Sequence, residues 1–209
     1  RWHVYRKQVN EIKEQYPHII IGQENGQSIF SKYPVTKVTS DGFFSHFVVD
    51  MPNHKLDIID VHLRSIRLSD EDKKNYNEAL SELIADNEED SFSSWKNIAS
   101  KVTKAAKQRA RQAIAIKKYI DNIENDNIIV CGDFNDSSLS YAHRVIGKGL
   151  NDAFVDTGNG LGVSYNRYGF YFRIDHIMAS ESLDLFNCTV DNSIKTSDHY
   201  PIWCYIKKK

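Results

Sequence analysis

Apolar residues along the chain follow two different periods. Short β-branched and aromatic runs recur at His18–Gly22, Ser28–Ser31, Phe43–Val49, Leu56–Val61, Ile128–Cys131, Phe172–Met178, Leu185–Val190 and Ile202–Ile206. Each is bounded by Gly, Pro, Asn or Asp, and each predicts a strand. Met51 to Lys55, with its Pro-Asn pair, predicts the turn of a hairpin. Between Asp70 and Ile123 the character changes: Val102, Ala106, Arg109, Ala113, Ile116, Ile120 and Ile123 recur at steps of three and four residues. That spacing predicts an amphipathic helix of about seven turns. Shorter helices are predicted around Val9–Gln15, ending at Tyr16-Pro17, and over Ser138–Ile146, closed by Gly147 or Gly149. Asn151–Phe154 and Asp156–Gly162 read as a Gly/Asn/Asp-rich connection. Strands on both sides of one long helix predict an α/β fold, with helices outside the sheets.

Composition narrows the function classes. The chain has 209 residues, 41% of them hydrophobic, with eleven Tyr and ten Phe, which is enough for a sizeable aromatic core. The formal net charge of −1 gives no global attraction to nucleic acid, although a local basic face stays open. The lysines and arginines of the long helix and the acidic runs at Asp70–Asp72 and Asp86–Asp90 read as solvated surface. Cys131, Cys188 and Cys204 show no CxxC spacing, so they read as core thiols rather than as a disulfide framework or a zinc site. No apolar run approaches a membrane span and no signal peptide opens the chain, so a soluble domain is expected and its compartment stays unassigned. The first residue is Arg, not Met. A fragment of a longer protein is therefore expected, which leaves an N-terminal anchor outside this stretch open.

Candidate chemistry gathers at the strand ends. The Ile128 run ends at Gly132, and the chain then presents Asp133 and Asn135, which face the same way if the backbone stays extended. A carboxylate beside a carboxamide suits a site holding a cation and a phosphate oxygen. An Asx turn accounts for the same residues equally well. His62, Asp175, Asp198 and His199 occupy comparable places at or after β segments. Three carboxylates and two imidazoles suit metal-assisted hydrolysis of a phosphate ester, with His moving a proton near neutral pH. His176 alternates away from Asp175 and reads as structural. No serine-hydrolase elbow, glycine-rich phosphate loop or zinc ligand set competes.

Gly132-Asp133-Phe134-Asn135, Arg173-Ile174-Asp175 and Ser197-Asp198-His199-Tyr200-Pro201, in this order and spacing, resemble the motifs of the endonuclease/exonuclease/phosphatase superfamily. His62-Leu63-Arg64-Ser65 and Ile29-Phe30-Ser31-Lys32-Tyr33-Pro34 are similar to two further landmarks. The resemblance implies a DNase I-like four-layer α/β sandwich, two mostly antiparallel sheets packed face to face with helices outside. It implies one domain over 1–209, with 66–99 as an insertion. It implies a Mg²⁺-dependent (or Mn²⁺-dependent) phosphodiesterase, nuclease or phosphatase acting by in-line attack of water. Carried over, Asp198 is a metal ligand, His199 handles the proton and Asp175 orients it. Asp133 positions the water, Asn135 holds a phosphate oxygen and His62 donates to the phosphate. The family's metal-binding Glu is matched by Gln23-Glu24, but Tyr33-Pro34 follows too soon. The expectation is that the family's opening strands are missing from this stretch. A nucleic acid, a phospholipid head group or an inositol phosphate is the expected partner, met by a monomer with no protein partner implied. Arg64, Arg67, Arg167 and Arg173, with the aromatic stretch 163–172, are candidates for substrate contact. The alternative is a non-catalytic binding module derived from the same fold.

Overall fold

The structure is a computed structural model describing residues 10–22, 26–67, 69, 91–167 and 170–209. The Glu24 expectation lies outside the described residues, as does most of the 66–99 stretch. Residues 10–15 are helical, and β1 (His18–Ile20) and β2 (Ile29–Ser31) pair antiparallel. The main sheet holds β3 (Val35–Asp41), β4 (Phe44–Met51), β5 (His54–His62), β6 (Ile128–Asp133), β7 (Leu150–Asp152) and a later strand, Asp175–Ser180. Between β5 and β6 runs α1 (Ser91–Ile120), and the short helices α2 (Tyr141–Ile146) and α3 (Ala153–Thr157) flank β7. The remaining strands are β8 (Tyr165–Arg167), β9 (Phe170–Phe172), β10 (Asp175–Ser180), β11 (Leu183–Val190) and β12 (Ile202–Lys208). The main sheet has the order β3-β4-β5-β6-β10-β7, while β8 with β9 and β11 with β12 form separate pairs.

All neighbours in the main sheet are antiparallel except β5 and β6. A parallel pair cannot be joined by a hairpin, and α1 is the crossover that joins this one. The parallel register aligns the ends of two strands, setting His62 beside Asp133. The antiparallel neighbour β10 starts where β6 ends, setting Asp175 beside Asp133 on its other side.

Strand alternation sorts the core into two faces. Ile59, Val61, Val130 and Met178 pack with Ala113, Ile116 and Ile120 of α1. On the opposite face Leu56, Ile129, Cys131, Ile177 and Ala179 meet Leu183, Leu185 and Ile206 of β11 and β12. The second sheet therefore lies face to face with the first, and the helices cover its other side. The fold is the mixed α/β architecture expected from the sequence.

Several details differ from the sequence pattern. The expected α1 stripe holds from Arg109 onward, but Val102 and Ala106 are exposed and Ala105 and Ile98 are buried in their place. β3 was not expected, because Val-Thr-Lys-Val-Thr-Ser-Asp has few apolar positions; as an edge strand it needs few. The 151–162 connection contains β7 and α3. Asp152 ends the strand and caps the helix, accepting from the N–H groups of Phe154 and Val155. Among the described residues no helix is long and apolar enough to cross a membrane.

Candidate active site

Gly132 has a φ of +131°, and a Cβ there would lie 2.1 Å from the Val61 carbonyl oxygen, so only glycine lets β5 and β6 close at this point. The backbone then turns outward through Asp133. Phe134 drops into the core with no exposure, and Asn135 takes a φ of +50°. Leu63 N–H donates to the Asp133 carbonyl and Phe134 N–H to the Ile174 carbonyl, so the turn stays stitched to the exits of β5 and the entry of β10.

The Asp133 carboxylate is the centre of the site. Its Oδ1 accepts the Asn135 backbone N–H at 2.7 Å and its Oδ2 accepts the Asn135 side-chain Nδ2–H at 2.9 Å. His62 Nε2 stands 3.8 Å from Asp133 Oδ2 and His199 Nε2 stands 4.0 Å from it. Burial and the neighbouring Asp175 push the Asp133 carboxyl up to about 6, against the opposing pull of the Asn135 bond and the two histidines. His199 Nδ1 lies 2.8 Å from Asp175 Oδ2. A carboxylate can only accept, so Nδ1 carries the proton and Nε2 is turned towards Asp133. The Asp175 hydrogen bond, opposed by burial, raises the His199 pKa above its ordinary value.

The structure brings His62, Asp133, Asn135, Asp175 and His199 together. Asp198 stands exposed at the rim, near enough for its charge to support the His199 imidazolium. Asp133, Asp175 and His199 offer ligand atoms within 4.8 Å of one another. The two crowded, half-buried carboxylates of Asp133 and Asp175 are hard oxygen donors, and they fit a divalent cation. Asn135 is engaged differently from the expectation. Its second Nδ2–H donates to the Leu63 carbonyl at 3.0 Å, so it reaches a phosphate oxygen only by exchanging one of these two bonds. Tyr165 of the aromatic segment bridges to His199, with ring centroids 5.2 Å apart, and walls one side of the site. Arg173 does not line it: the side chain is buried and donates to Asp152 and His176.

Four residues escaped the sequence reading. Ser164 is fully buried; its Oγ accepts the N–H groups of Ile174 and Asp175, and its carbonyl accepts Tyr200 N–H at 2.7 Å. It ties the Asp175 strand to the His199 loop. Asp60, paired with Cys131 one step below the His62–Asp133 level, shares their face of the sheet, and burial pushes it up to about 7. Period-2 alternation from His62 was the available signal for it. Asp136 and Arg109 pair at 2.8 Å behind the Asp133 turn. A second cluster, His143, Asp152 and His176, also has metal-like donors within 4.8 Å. However, Arg173 NH1 sits 3.2 Å from Asp152 Oδ2 and 2.9 Å from His176 Nδ1. The guanidinium already supplies the cation there.

A family model described as "Endonuclease/Exonuclease/phosphatase family" matches residues 3–199. No curated protein matches the chain in sequence. Among solved structures, a mannosyl-6-phosphatase from Bacteroides thetaiotaomicron is similar, with 16% identity, 97% of this chain and 82% of that one covered, and a TM-score of 0.56. Sphingomyelinase C from Streptomyces griseocarneus matches with 15% identity over 92% of this chain and 78% of that one, at a TM-score of 0.57. A beta toxin mutant from Staphylococcus aureus with bound magnesium ions matches with 16% identity over 95% and 81%, at a TM-score of 0.59.

Proposed function

The chain belongs to the endonuclease/exonuclease/phosphatase family, and from that premise we propose that it is a divalent-cation-dependent hydrolase of phosphate esters. The observation that carries this reading is the Asp175–His199 pair at 2.8 Å, with His199 Nε2 facing the Asp133 carboxylate across 4.0 Å. Asp133 orients a water for in-line attack on phosphorus. Asn135 fixes the plane of the Asp133 carboxylate. His62, 3.8 Å away, donates to a non-bridging oxygen as charge develops. His199, kept in one tautomer by Asp175, takes up at Nε2 the proton that the attacking water loses, while the ester P–O bond breaks and the leaving oxygen takes a proton from solvent. Asp198 and the Asp133 carboxylate are the residues that would hold a divalent cation, which when bound neutralises charge on the phosphate. The names of the similar structures include a sugar phosphatase and a sphingomyelinase, which supports a shared phosphoryl centre rather than one leaving group.

The test is hydrolysis of a bis-aryl phosphodiester and an aryl phosphomonoester with Mg²⁺, with Mn²⁺ or with EDTA, by the wild type and by His199→Ala. Turnover in Mg²⁺ or Mn²⁺, abolished by EDTA and lowered at least about a hundredfold in the variant, supports the reading. Equal turnover by the wild type and a folded His199→Ala protein overturns it.

A further inference from the structure

The turn that carries Asp133 and Asn135 is gripped from behind by groups the proposed chemistry does not use. Asp136 points its carboxylate away from the site: Oδ2 accepts Arg109 Nε–H at 2.8 Å and Oδ1 accepts Ser137 N–H at 3.2 Å. Its carbonyl oxygen lies 2.9 Å from His176 Nε2. Because Arg173 NH1 donates to His176 Nδ1, the imidazole proton is on Nε2 and points at that carbonyl. Arg109 reaches a second loop as well. Its NH1 donates to the Arg64 carbonyl at 3.1 Å, and Gln112, three residues further along α1, accepts Arg64 N–H at 2.9 Å. Arg64 lies two residues beyond His62. Arg109 is only 4% exposed, on a helix face otherwise formed by Ala105, Ala113 and Ile116. Packing alone would be served there by an aliphatic residue, since a buried guanidinium is costly unless every contact is used.

We propose that Arg109 is a positioning residue that locks the His62 loop to the Asp133–Asn135 turn, through the Arg64 carbonyl on one side and Asp136 on the other. This inference rests on the hydrolase reading above. Asn135 takes a φ of +50°, a left-handed conformation that Asn tolerates well, and its side-chain amide is held there by Asp133 Oδ2 and the Leu63 carbonyl. Its side chain in turn sets the Asp133 carboxylate, on which both histidines converge. A displacement of about 1 Å among such groups lowers turnover by roughly a hundredfold.

Steady-state kinetics on the phosphodiester, with circular dichroism melts, compare the wild type with Arg109→Lys, Arg109→Met and Asp136→Asn. The expected result is a kcat roughly a hundredfold lower in Arg109→Met, with KM within about threefold, and a smaller loss in Arg109→Lys. Proton exchange of the Asn135 side-chain amide, followed by NMR, reports the same clamp without turnover; it accelerates in Arg109→Met. Wild-type kcat in a folded Arg109→Met protein, or a change confined to KM, overturns the proposal. If both Arg109 variants fail to fold, Asp136→Asn decides: it keeps the volume and the Arg64 contact, and an unchanged kcat overturns the clamp. Should the wild type be no more active than His199→Ala, the hydrolase reading fails by itself. The clamp is then judged by Asn135 exchange, and protection unchanged in the variants overturns it.

Discussion

Asp175 acts on His199 in two ways that substitution separates. It fixes the tautomer by accepting from Nδ1, and its charge raises the imidazole pKa. Asp175→Asn keeps the shape but removes the charge, and the amide can present an N–H to Nδ1 and so favour the wrong tautomer. The expected outcome is a kcat lower by about a hundredfold or more. In EDTA, an NMR titration should show the His199 pKa falling in the variant. An unchanged imidazole pKa would show that Asp175 does not govern His199. At this scale the sequence was partly legible. The tetrapeptide Gly132–Asn135 left open a cation and phosphate site or an Asx turn, and the structure contains the turn, built from the same carboxylate that faces the two histidines. Arg109 was not legible: its position in the apolar stripe of α1 marked it as inward-facing, but nothing local shows that Asp136, 27 residues away, is waiting there.

Elements depend on one another most visibly where α2, β7, α3 and β10 meet. Asp152 closes β7, caps α3 and accepts from His143 Nε2 at 2.7 Å and from Arg173, while His176 stacks edge-on against His143. Burial lowers the proton affinity of His176 below its ordinary value. Burial would raise Asp152, but the His143 hydrogen bond, the Val155 N–H and the Arg173 charge together hold it well below the usual carboxylate range. Both shifts have the same consequence. The unfolded chain takes up a proton at His176 near pH 6.5 before the native protein does, so the stability this cluster contributes falls as pH drops below about 6.5, against the raised Asp60 and Asp133 carboxyls, whose native forms take up protons first and act in the opposite direction. It falls again below about pH 4, where unfolded Asp152 would be protonated and the native carboxylate is not. The urea midpoint of the wild type relative to that of His176→Gln should therefore be higher at pH 7.5 than at pH 5, the other titrating groups being common to both proteins. An equal difference between the two proteins at both pH values would remove His176 as a cause. The strands β5, β11 and β12 were legible because alternation and a covered face coincide, and β4 and β6 because their continuous β-branched and aromatic runs are buried on both faces. β7 and α3 were not, because their short lengths are held by Asp152 contacts distant in sequence rather than by periodicity.

At the scale of the whole molecule, the site is assembled from four separated segments: the exit of β5, the exit of β6, the entry of β10 and the loop before β12. Fold class, and which candidate residues the structure gathers at one place, could be read from sequence because each segment carries its own short motif beside a strand. Their mutual distances could not, since those depend on the parallel β5–β6 register and the antiparallel β10 pairing. The carboxylates of Asp133 and Asp175 meet there on neighbouring strands, with Asp198 exposed at the rim, and Asp133 is already pushed up to about 6 by burial and by Asp175. A cation that binds them acts on the folded state alone, because the unfolded chain scatters these groups over 65 residues or more, from Asp133 to Asp198. Its stabilisation follows mass action, about 2.7 kcal/mol when the ion is present at a hundred times its Kd. For a domain of this size that raises Tm by roughly 5–10 °C. Thermal melts with Mg²⁺ or Mn²⁺ should show this rise, EDTA should reverse it, and Asp198→Ala should reduce it while leaving the metal-free Tm nearly unchanged, because Asp198 is exposed. A rise of equal size in Asp198→Ala would take that residue out of the ligand set. No rise with either ion would leave the convergent carboxylates to be balanced by protons and by His62 and His199 alone, and a cation would then have no part in the proposed hydrolysis.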